Sequence, residues 1–176
     1  MRNGKKYAMR AAVCMGFGMV CGIAWACMMG AAAFQMYAQR LAQYLADLPR
    51  GEGVQVAWIE SFAKYIWLLA AIWLLAFYPR ASRVGYVVCA AKSAGFGFVL
   101  GSFGRAFGGW GVQQAFVLAG LQNIVILLAA LCATVAGRLY DEKVLTLRIY
   151  MLAGGVFAAV AALMAAIEAL VLPIVL

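Results

Sequence analysis

Five apolar stretches, each long enough to cross a bilayer, are the feature of this chain that most restricts its fold. A hydrocarbon core of roughly 30 Å needs about 20 residues of helix at about 1.5 Å per residue. Hydrophobic residues make up 68% of the 176-residue chain and charged residues only 11%, whereas a soluble domain has about a quarter charged. We therefore predict an all-α, polytopic helical membrane protein with about five transmembrane helices. The predicted spans are approximately 10–34, 63–79, 84–107, 112–138 and 149–172.

The chain has room for one integral membrane domain, residues 1–176, and for no soluble catalytic domain, because no polar stretch exceeds about thirty residues. The largest predicted loop covers residues 35–62. It contains apolar residues at steps of three and four, which predict an amphipathic helix before a turn at Pro49. Whether this helix binds lipid, receives a partner helix or continues the first span stays open. The apolar residues are Phe34, Tyr37, Leu41, Tyr44, Leu45 and Leu48.

The basic residues flank the apolar spans, and their distribution predicts the orientation. Nine of the fourteen fall on the side of the N-terminus, four on the other side, and Lys92 lies within a span. The positive-inside rule then places the N-terminus in the cytoplasm and the C-terminus outside, in the cell membrane, with lipid as the surrounding partner. The net charge of +8 forms no basic stripe, so no nucleic acid partner is expected.

The N-terminal region also has the features of a secretory signal, with a basic start, an apolar run and Ala31-Ala32-Ala33 as a small-residue cleavage site. The apolar run, at about 24 residues, is longer than the 7–15 residues of a usual signal peptide. We therefore expect the first helix to be retained. Cleavage would leave four helices.

The sequence contains no residue set typical of catalysis or of a bound metal. It has no histidine, and its five cysteines lie inside apolar segments without CxxC spacing, so we expect free thiols and no cofactor. Ser93 follows Lys92, but neighbouring residues of a helix point about 100° apart, so the two side chains are poorly placed to act together as nucleophile and base. We predict that the protein is not an enzyme.

Small residues recur at steps of three and four along the third predicted span and predict a helix-packing or docking face. The glycines concerned are Gly95, Gly97, Gly101 and Gly104. At such positions a second helix backbone can approach closely, and close contact is a main force joining helices in lipid. The partner helix can belong to the same chain, to a second copy in a homo-oligomer or to another protein, and spacing does not distinguish them. A weaker repeat, Gly18-x3-Gly22, lies in the first span.

Polar side chains inside the spans are costly and therefore informative. By helical rise, Lys92 lies about 13 Å from the cytoplasmic end of its span, and Gln122 and Asn123 lie about 15 Å from the outer end of theirs. These depths predict a polar mid-membrane node that joins the third and fourth helices. Two other interpretations stay open: a polar path for transport, or a Lys92 that extends to the cytoplasm while the amides bond neighbouring carbonyls.

Two charges lie near the outer ends of the third and last spans. Glu168 is about 28 Å from Arg148 by helical rise, which places it near the outer surface, and Arg105 reaches a similar depth. We therefore predict an ion pair between Arg105 and Glu168, which is better placed than a pair between Glu168 and Lys92.

Three motifs in the hairpin between Tyr65 and Gly137 together carry a resemblance to a known family. They are Ala90-Ala91-Lys92-Ser93-Ala94-Gly95-Phe96-Gly97-Phe98-Val99-Leu100-Gly101, the turn Gly108-Gly109-Trp110-Gly111, and Leu121-Gln122-Asn123-Ile124. The hairpin, about 40% of the chain, resembles the membrane-protein family of stage II sporulation protein M. It departs from the family pattern at Leu121, where the family tends to have proline, and at Ser93, where it tends to have glycine.

The resemblance implies a non-enzymatic protein of endospore-forming bacteria that acts during engulfment of the forespore. It would hold two peptidoglycan-degrading enzymes, stage II sporulation proteins D and P, at the septal or engulfing membrane. The matching positions receive no catalytic role from the family. The expected function is thus a scaffold for peptidoglycan remodelling, with a small permease-like transport or export subunit as the alternative.

Overall fold

The computed structural model describes residues 2–46, 54–75, 77–78, 83–116 and 120–175, and all of its regular structure is helical. Five of its six helices are long and apolar enough to cross a membrane, and only α2 is not. The predicted class, a multi-pass helical membrane protein, is confirmed. The helices are α1 (Arg2–Met28), α2 (Ala31–Ala46), α3 (Val54–Leu75), α4 (Val84–Ala115), α5 (Leu121–Asp141) and α6 (Leu147–Val175).

Contacts between helix ends show that the membrane-length helices alternate in direction. The hydroxyl of Tyr7, near the start of α1, donates to Glu142 just beyond the end of α5. Near the end of α3, the Trp73 indole N–H donates to the carbonyl oxygen of Tyr150 at the start of α6, at 3.3 Å. α4 also begins at this end, where Gly85 packs on α5. We call this the N-terminal end of the bundle and the opposite one the distal end; the cytoplasmic placement of the N-terminus stays a prediction.

Two apolar cores hold the helices together. The larger joins α3, α5 and α6 around Leu69, Ile126 and Ala161, and includes Cys89 of α4. The smaller joins α4 and α5 around Phe96 and Leu127. Because α4 and α5 contribute to both cores, they connect α1 to the α3/α6 pair.

Four aromatic rings close the N-terminal end of the bundle. Tyr150 is fully buried, stacks on Tyr140 at 4.6 Å between ring centroids, and stacks on Trp73 at 5.6 Å. Its hydroxyl donates to the carbonyl oxygen of Trp73 at 2.6 Å, and Phe77 contacts the ring edge-on. Since these residues come from the end of α3, the end of α5 and the start of α6, the cluster fixes three helix ends at once.

The chain reverses at Gly108, within the turn predicted between the third and fourth spans. Gly108 has φ 63° and ψ −147°, a conformation that side chains disfavour, and helical structure then resumes as far as Ala115. This return segment, residues 109–115, runs back along the preceding part of α4, so closely that a Cβ added to Gly111 would lie 2.1 Å from the carbonyl oxygen of Phe103. It contains the predicted start of the fourth span at residue 112, and α5 follows from Leu121.

The predicted loop 35–62 is largely helical where it is described. After a break at Met29 and Gly30, α2 forms a separate helix rather than a continuation of α1. The ring of Tyr37 on α2 contacts Phe98 of α4 edge-on at 5.1 Å. α3 already begins at Val54, and the predicted turn at Pro49 lies outside the described residues.

Candidate functional site in the helix pair and the distal polar cluster

The glycine repeats of α1 and α4 lie against each other. A Cβ added to Gly97 would lie 2.2 Å from the carbonyl oxygen of Met19, and one added to Gly18 would lie 2.1 Å from that of Ala90. Gly22 has the same relation to Ala94, at 2.0 Å. Such distances leave no room for a side chain, so the two backbones are in direct contact. The partner helix of this part of the glycine face is thus α1 of the same chain.

The other glycines of the third predicted span have different surroundings. Gly101 also faces α1, where an added Cβ would lie 2.9 Å from the side chain of Ala26. Gly104 instead faces the return segment, at 3.1 Å from Val112 Cγ2. Gly95 is exposed, with nothing within 4 Å of an added Cβ. Because two residues correspond to about 200° of helical rotation, Gly95 and Gly97 lie on nearly opposite faces of α4.

Gly95 opens onto a groove of about 560 Å³ along the α1/α4 pair, which we call the Gly95 groove. Its floor contains the small residues Gly22 and Ala94, and its walls include Trp25 and Phe98. Trp25 is 70% exposed. The groove therefore combines a floor that a second helix backbone could approach with large apolar side chains on its sides.

Arg105 binds the end of α1 instead of Glu168. Its Nη1 donates to the carbonyl oxygens of Ala26 at 3.0 Å and Met29 at 2.6 Å, and its guanidinium lies 4.6 Å from the centroid of the Phe34 ring. The last carbonyls of a helix lack partners within the helix, and α1 has no basic residue in its own last turn. Arg105 supplies that missing cation from α4.

Glu168 has its own hydrogen-bond partner on α3. The hydroxyl of Tyr65 lies 2.5 Å from Glu168 Oε2 and 3.3 Å from Gln122 Oε1. A phenol carries one hydrogen, and the shorter distance assigns it to the carboxylate. The phenol oxygen can still accept a hydrogen bond. Gln122 donates that bond when the NH₂ group of its side-chain amide, rather than the oxygen, faces Tyr65.

Lys92 lies near this arrangement, within range of the charges of Glu168 and Lys64. The four residues Lys92, Tyr65, Gln122 and Glu168 come from α4, α3, α5 and α6, and we call them the distal polar cluster. Ser93 is not part of it, since its hydroxyl is buried and donates to the carbonyl oxygen of Cys89 at 2.8 Å. This bond lies within α4 and does not involve Lys92.

Contacts with α4 give the depth of the amide pair. Phe116 contacts Phe96 at 6.0 Å between ring centroids, and Thr134 contacts Cys89 at 3.4 Å, so this part of the chain runs back along α4. Gln122 and Asn123 lie between these two contacts, and Lys92 lies between Cys89 and Phe96 on α4. The two amides and Lys92 therefore lie at similar depth, and the polar mid-membrane node stays a prediction.

Double-mutant cycles should separate the two polar arrangements. We expect the losses of unfolding free energy from Arg105→Ala and Glu168→Ala to add within about 0.3–0.5 kcal/mol, because the two residues have different partners. Tyr65→Phe and Glu168→Ala should instead couple by roughly 0.6–1.7 kcal/mol, as hydrogen-bonded side chains in membrane proteins do. Unfolding in mixed micelles gives these free energies. Coupling above about 1 kcal/mol between Arg105 and Glu168 would restore the pair predicted from the sequence.

The side chains that could bind a metal ion lie apart in the described part of the chain. Within the described ranges no three His, Cys, Asp or Glu side chains approach one another as metal ligands do, and the five cysteines are free thiols. The contacts made by the glycine pair, Arg105 and the distal polar cluster all join helices. No family model, curated protein or solved structure matches this chain.

Proposed function

We propose that the protein is a non-enzymatic scaffold that recruits and positions peptidoglycan-degrading enzymes during forespore engulfment in an endospore-forming bacterium. The cellular role comes from the resemblance of the Lys92–Gly101 and Gln122–Asn123 motifs to the stage II sporulation protein M family. By that resemblance the partners are stage II sporulation proteins D and P, and the location is the septal or engulfing membrane. The multi-pass helical bundle supports a role exercised within the membrane.

The Gly95 groove is the observation that carries the scaffold proposal. Gly97 and Gly101 are already in contact with α1, so a partner helix does not need to compete for them. Gly95 lies on the other face of α4 and has no side chain, so a helix backbone can approach it closely. Trp25, on the wall of the groove, is largely exposed. The transmembrane anchor of a wall hydrolase is an occupant of suitable shape, because lipid-embedded helices associate where small residues permit close approach.

Transport, the alternative function, has less support. A polar path through the membrane needs side chains at successive depths, whereas Lys92, Gln122 and Asn123 all lie between the Phe96–Phe116 and Cys89–Thr134 contacts. The hydroxyl of Tyr65 donates to Glu168 and lies 3.3 Å from Gln122, in contacts that join α3, α5 and α6. The distal polar cluster therefore supports a structural role.

Substituting Gly95 tests the scaffold proposal. We expect Gly95→Leu to weaken capture of the co-expressed, membrane-anchored wall hydrolases of the same genome by about 5- to 150-fold, the equivalent of about 1–3 kcal/mol of overpacking. Affinity purification in mild detergent measures the capture. The matched control is Gly155→Leu on α6, which is equally exposed and open and should leave capture unchanged.

A photo-crosslinker at position 95 gives a second readout, and adducts with those hydrolases should form there and not at position 155. Undiminished capture by Gly95→Leu would remove the groove as the docking surface. Loss of capture in both variants would indicate a general disturbance of the bundle rather than a specific contact.

A further inference from the structure

A second groove, separate from the Gly95 groove, lies at the N-terminal end of the bundle between α1, α4 and α5. It encloses about 880 Å³. Four basic side chains line it: Lys6 and Arg10 of α1, Arg83 at the start of α4, and Arg138 of α5. We call it the basic groove. Neither the glycine pairing nor the proposed scaffold role uses these residues.

The basic groove carries an excess of positive charge. No acidic side chain is among its described lining residues. Arg138 binds Asp141 at 2.7 Å, which holds the guanidinium in place and neutralises one of the four cations. Glu142, the other acid nearby, accepts the hydroxyl of Tyr7. Several like charges close together at the edge of a low-dielectric bundle repel one another, so an anion shared between them is strongly favoured.

The wall of the basic groove changes from charged to apolar along α1. Lys6 and Arg10 are followed by Val13 on the same lining, and Met9 lies beside them. Met9 is 71% exposed and Val13 is 66% exposed. Since α1 is a membrane-length helix, this order places cations at the membrane surface and apolar side chains toward the hydrocarbon. A soluble anion would contact only the charged part of such a surface. A phospholipid would contact the charged part with its headgroup and the apolar part with an acyl chain.

Tyr86 adds an independent observation. Its hydroxyl is buried, and the nearby guanidinium of Arg138 can only donate to it, so the phenol hydrogen has no acceptor within the described chain. Tyr86 also lines the basic groove. A buried hydroxyl without a partner costs roughly 1–3 kcal/mol, and a headgroup oxygen between Arg10 and Arg138 would satisfy it.

We propose that the basic groove binds one anionic phospholipid, with its phosphate between Arg10, Arg83 and Arg138 and an acyl chain along Met9 and Val13. Charged pockets between membrane helices are suited to such headgroups, and Arg presents donors in the fork geometry that phosphate oxygens fit. Bound lipid would join α1, α4 and α5 at this end, as Arg105 joins α1 to α4 at the other.

Lipid titration of the purified full chain tests the proposal. Native mass spectrometry with phosphatidylglycerol and phosphatidylcholine counts bound lipids and gives their affinities. We expect one phosphatidylglycerol to bind at least tenfold more tightly than phosphatidylcholine, and Arg10→Gln with Arg83→Gln to abolish the difference. The matched control, Lys5→Gln with Arg148→Gln, removes the same charge from exposed residues outside the groove lining at the same end of the bundle and should keep the difference.

Tyr86→Phe is a second variant that keeps both charge and packing. We expect it to weaken phosphatidylglycerol binding about three- to tenfold, because only the hydrogen bond to the headgroup is lost. Unchanged affinity would contradict the headgroup position.

Three results would overturn the lipid assignment. The first is equal loss in the two charge-reduced variants, which would indicate diffuse attraction. The second is equal binding of phosphatidylcholine. The third is displacement of phosphatidylglycerol by glycerol phosphate at comparable concentration, which would identify the occupant as a soluble phosphate compound.

Discussion

Gly97→Leu should separate α1 from α4 and destabilise the whole bundle by at least about 3 kcal/mol, the upper part of the range for overpacking. A Cβ at this position would already lie 2.2 Å from the carbonyl oxygen of Met19. The obstructing atom belongs to a helix backbone and cannot rotate away, so accommodation requires the two helices to move apart. Unfolding by SDS in mixed micelles, followed by tryptophan fluorescence, measures the loss.

Gly95→Leu is the internal control for that experiment. It makes the same change two residues away on the same helix, at a position with nothing within 4 Å of an added Cβ. We expect its stability to stay within about 0.5 kcal/mol of the parent protein. Similar losses in both variants would mean that helix propensity or insertion, rather than contact with α1, determines the effect. A stable Gly97→Leu would contradict the α1/α4 pairing.

Tyr150→Ala should cost about 3 kcal/mol, the low end of the range for removing a large aromatic side chain from a packed interior. The low end applies because lipid is itself apolar, so the loss comes from packing and ring contacts more than from transfer out of water. Tyr150 is fully buried and stacks on both Tyr140 and Trp73. The same unfolding assay applies.

Two further variants show how much of this loss of stability comes from the hydrogen bond and how much from the buried ring. Tyr150→Phe keeps the rings and loses the hydrogen bond to the carbonyl oxygen of Trp73, so we expect a loss of only about 0.5–1.5 kcal/mol. Tyr78→Ala removes a tyrosine that is 70% exposed near the same end of the bundle and should change stability by no more than about 0.5 kcal/mol. Equal losses from Tyr78→Ala and Tyr150→Ala would show that the aromatic cluster does not hold the three helix ends.

The helical membrane class is predictable because hydropathy is a local property: about 20 apolar residues in succession need a bilayer whatever the rest of the chain does. The two glycine repeats are visible in the same way, as Gly18-x3-Gly22 and Gly97-x3-Gly101. Their mutual contact is not predictable, since the same spacing suits a helix of the same chain, a second copy or another protein. The structure shows the pairing, because Gly97 lies against the backbone of Met19 and Gly18 lies against that of Ala90.

For the polar residues, helical counting gives the depth but not the partner. The chain reverses at Gly108, where the glycine-rich turn is predicted, so counting from that turn holds. Arg105 and Glu168 do reach the distal end as predicted, yet α1 offers Arg105 its terminal carbonyls and α3 offers Glu168 a phenol. Depth alone cannot choose between partners at one level of the membrane.

Because α1 pairs with α4, the first helix can reach its partner only some time after it has been synthesised. About 80 residues separate Met19 from Gly97, and at about 5–20 residues per second the ribosome needs roughly 4–16 s to make them. Throughout that interval the newly made α1 exposes Gly18 and Gly22, because the part of its own chain that pairs with them has not yet been synthesised. Two nascent chains inserted side by side can then exchange first helices, which makes a swapped dimer the characteristic assembly error of this architecture.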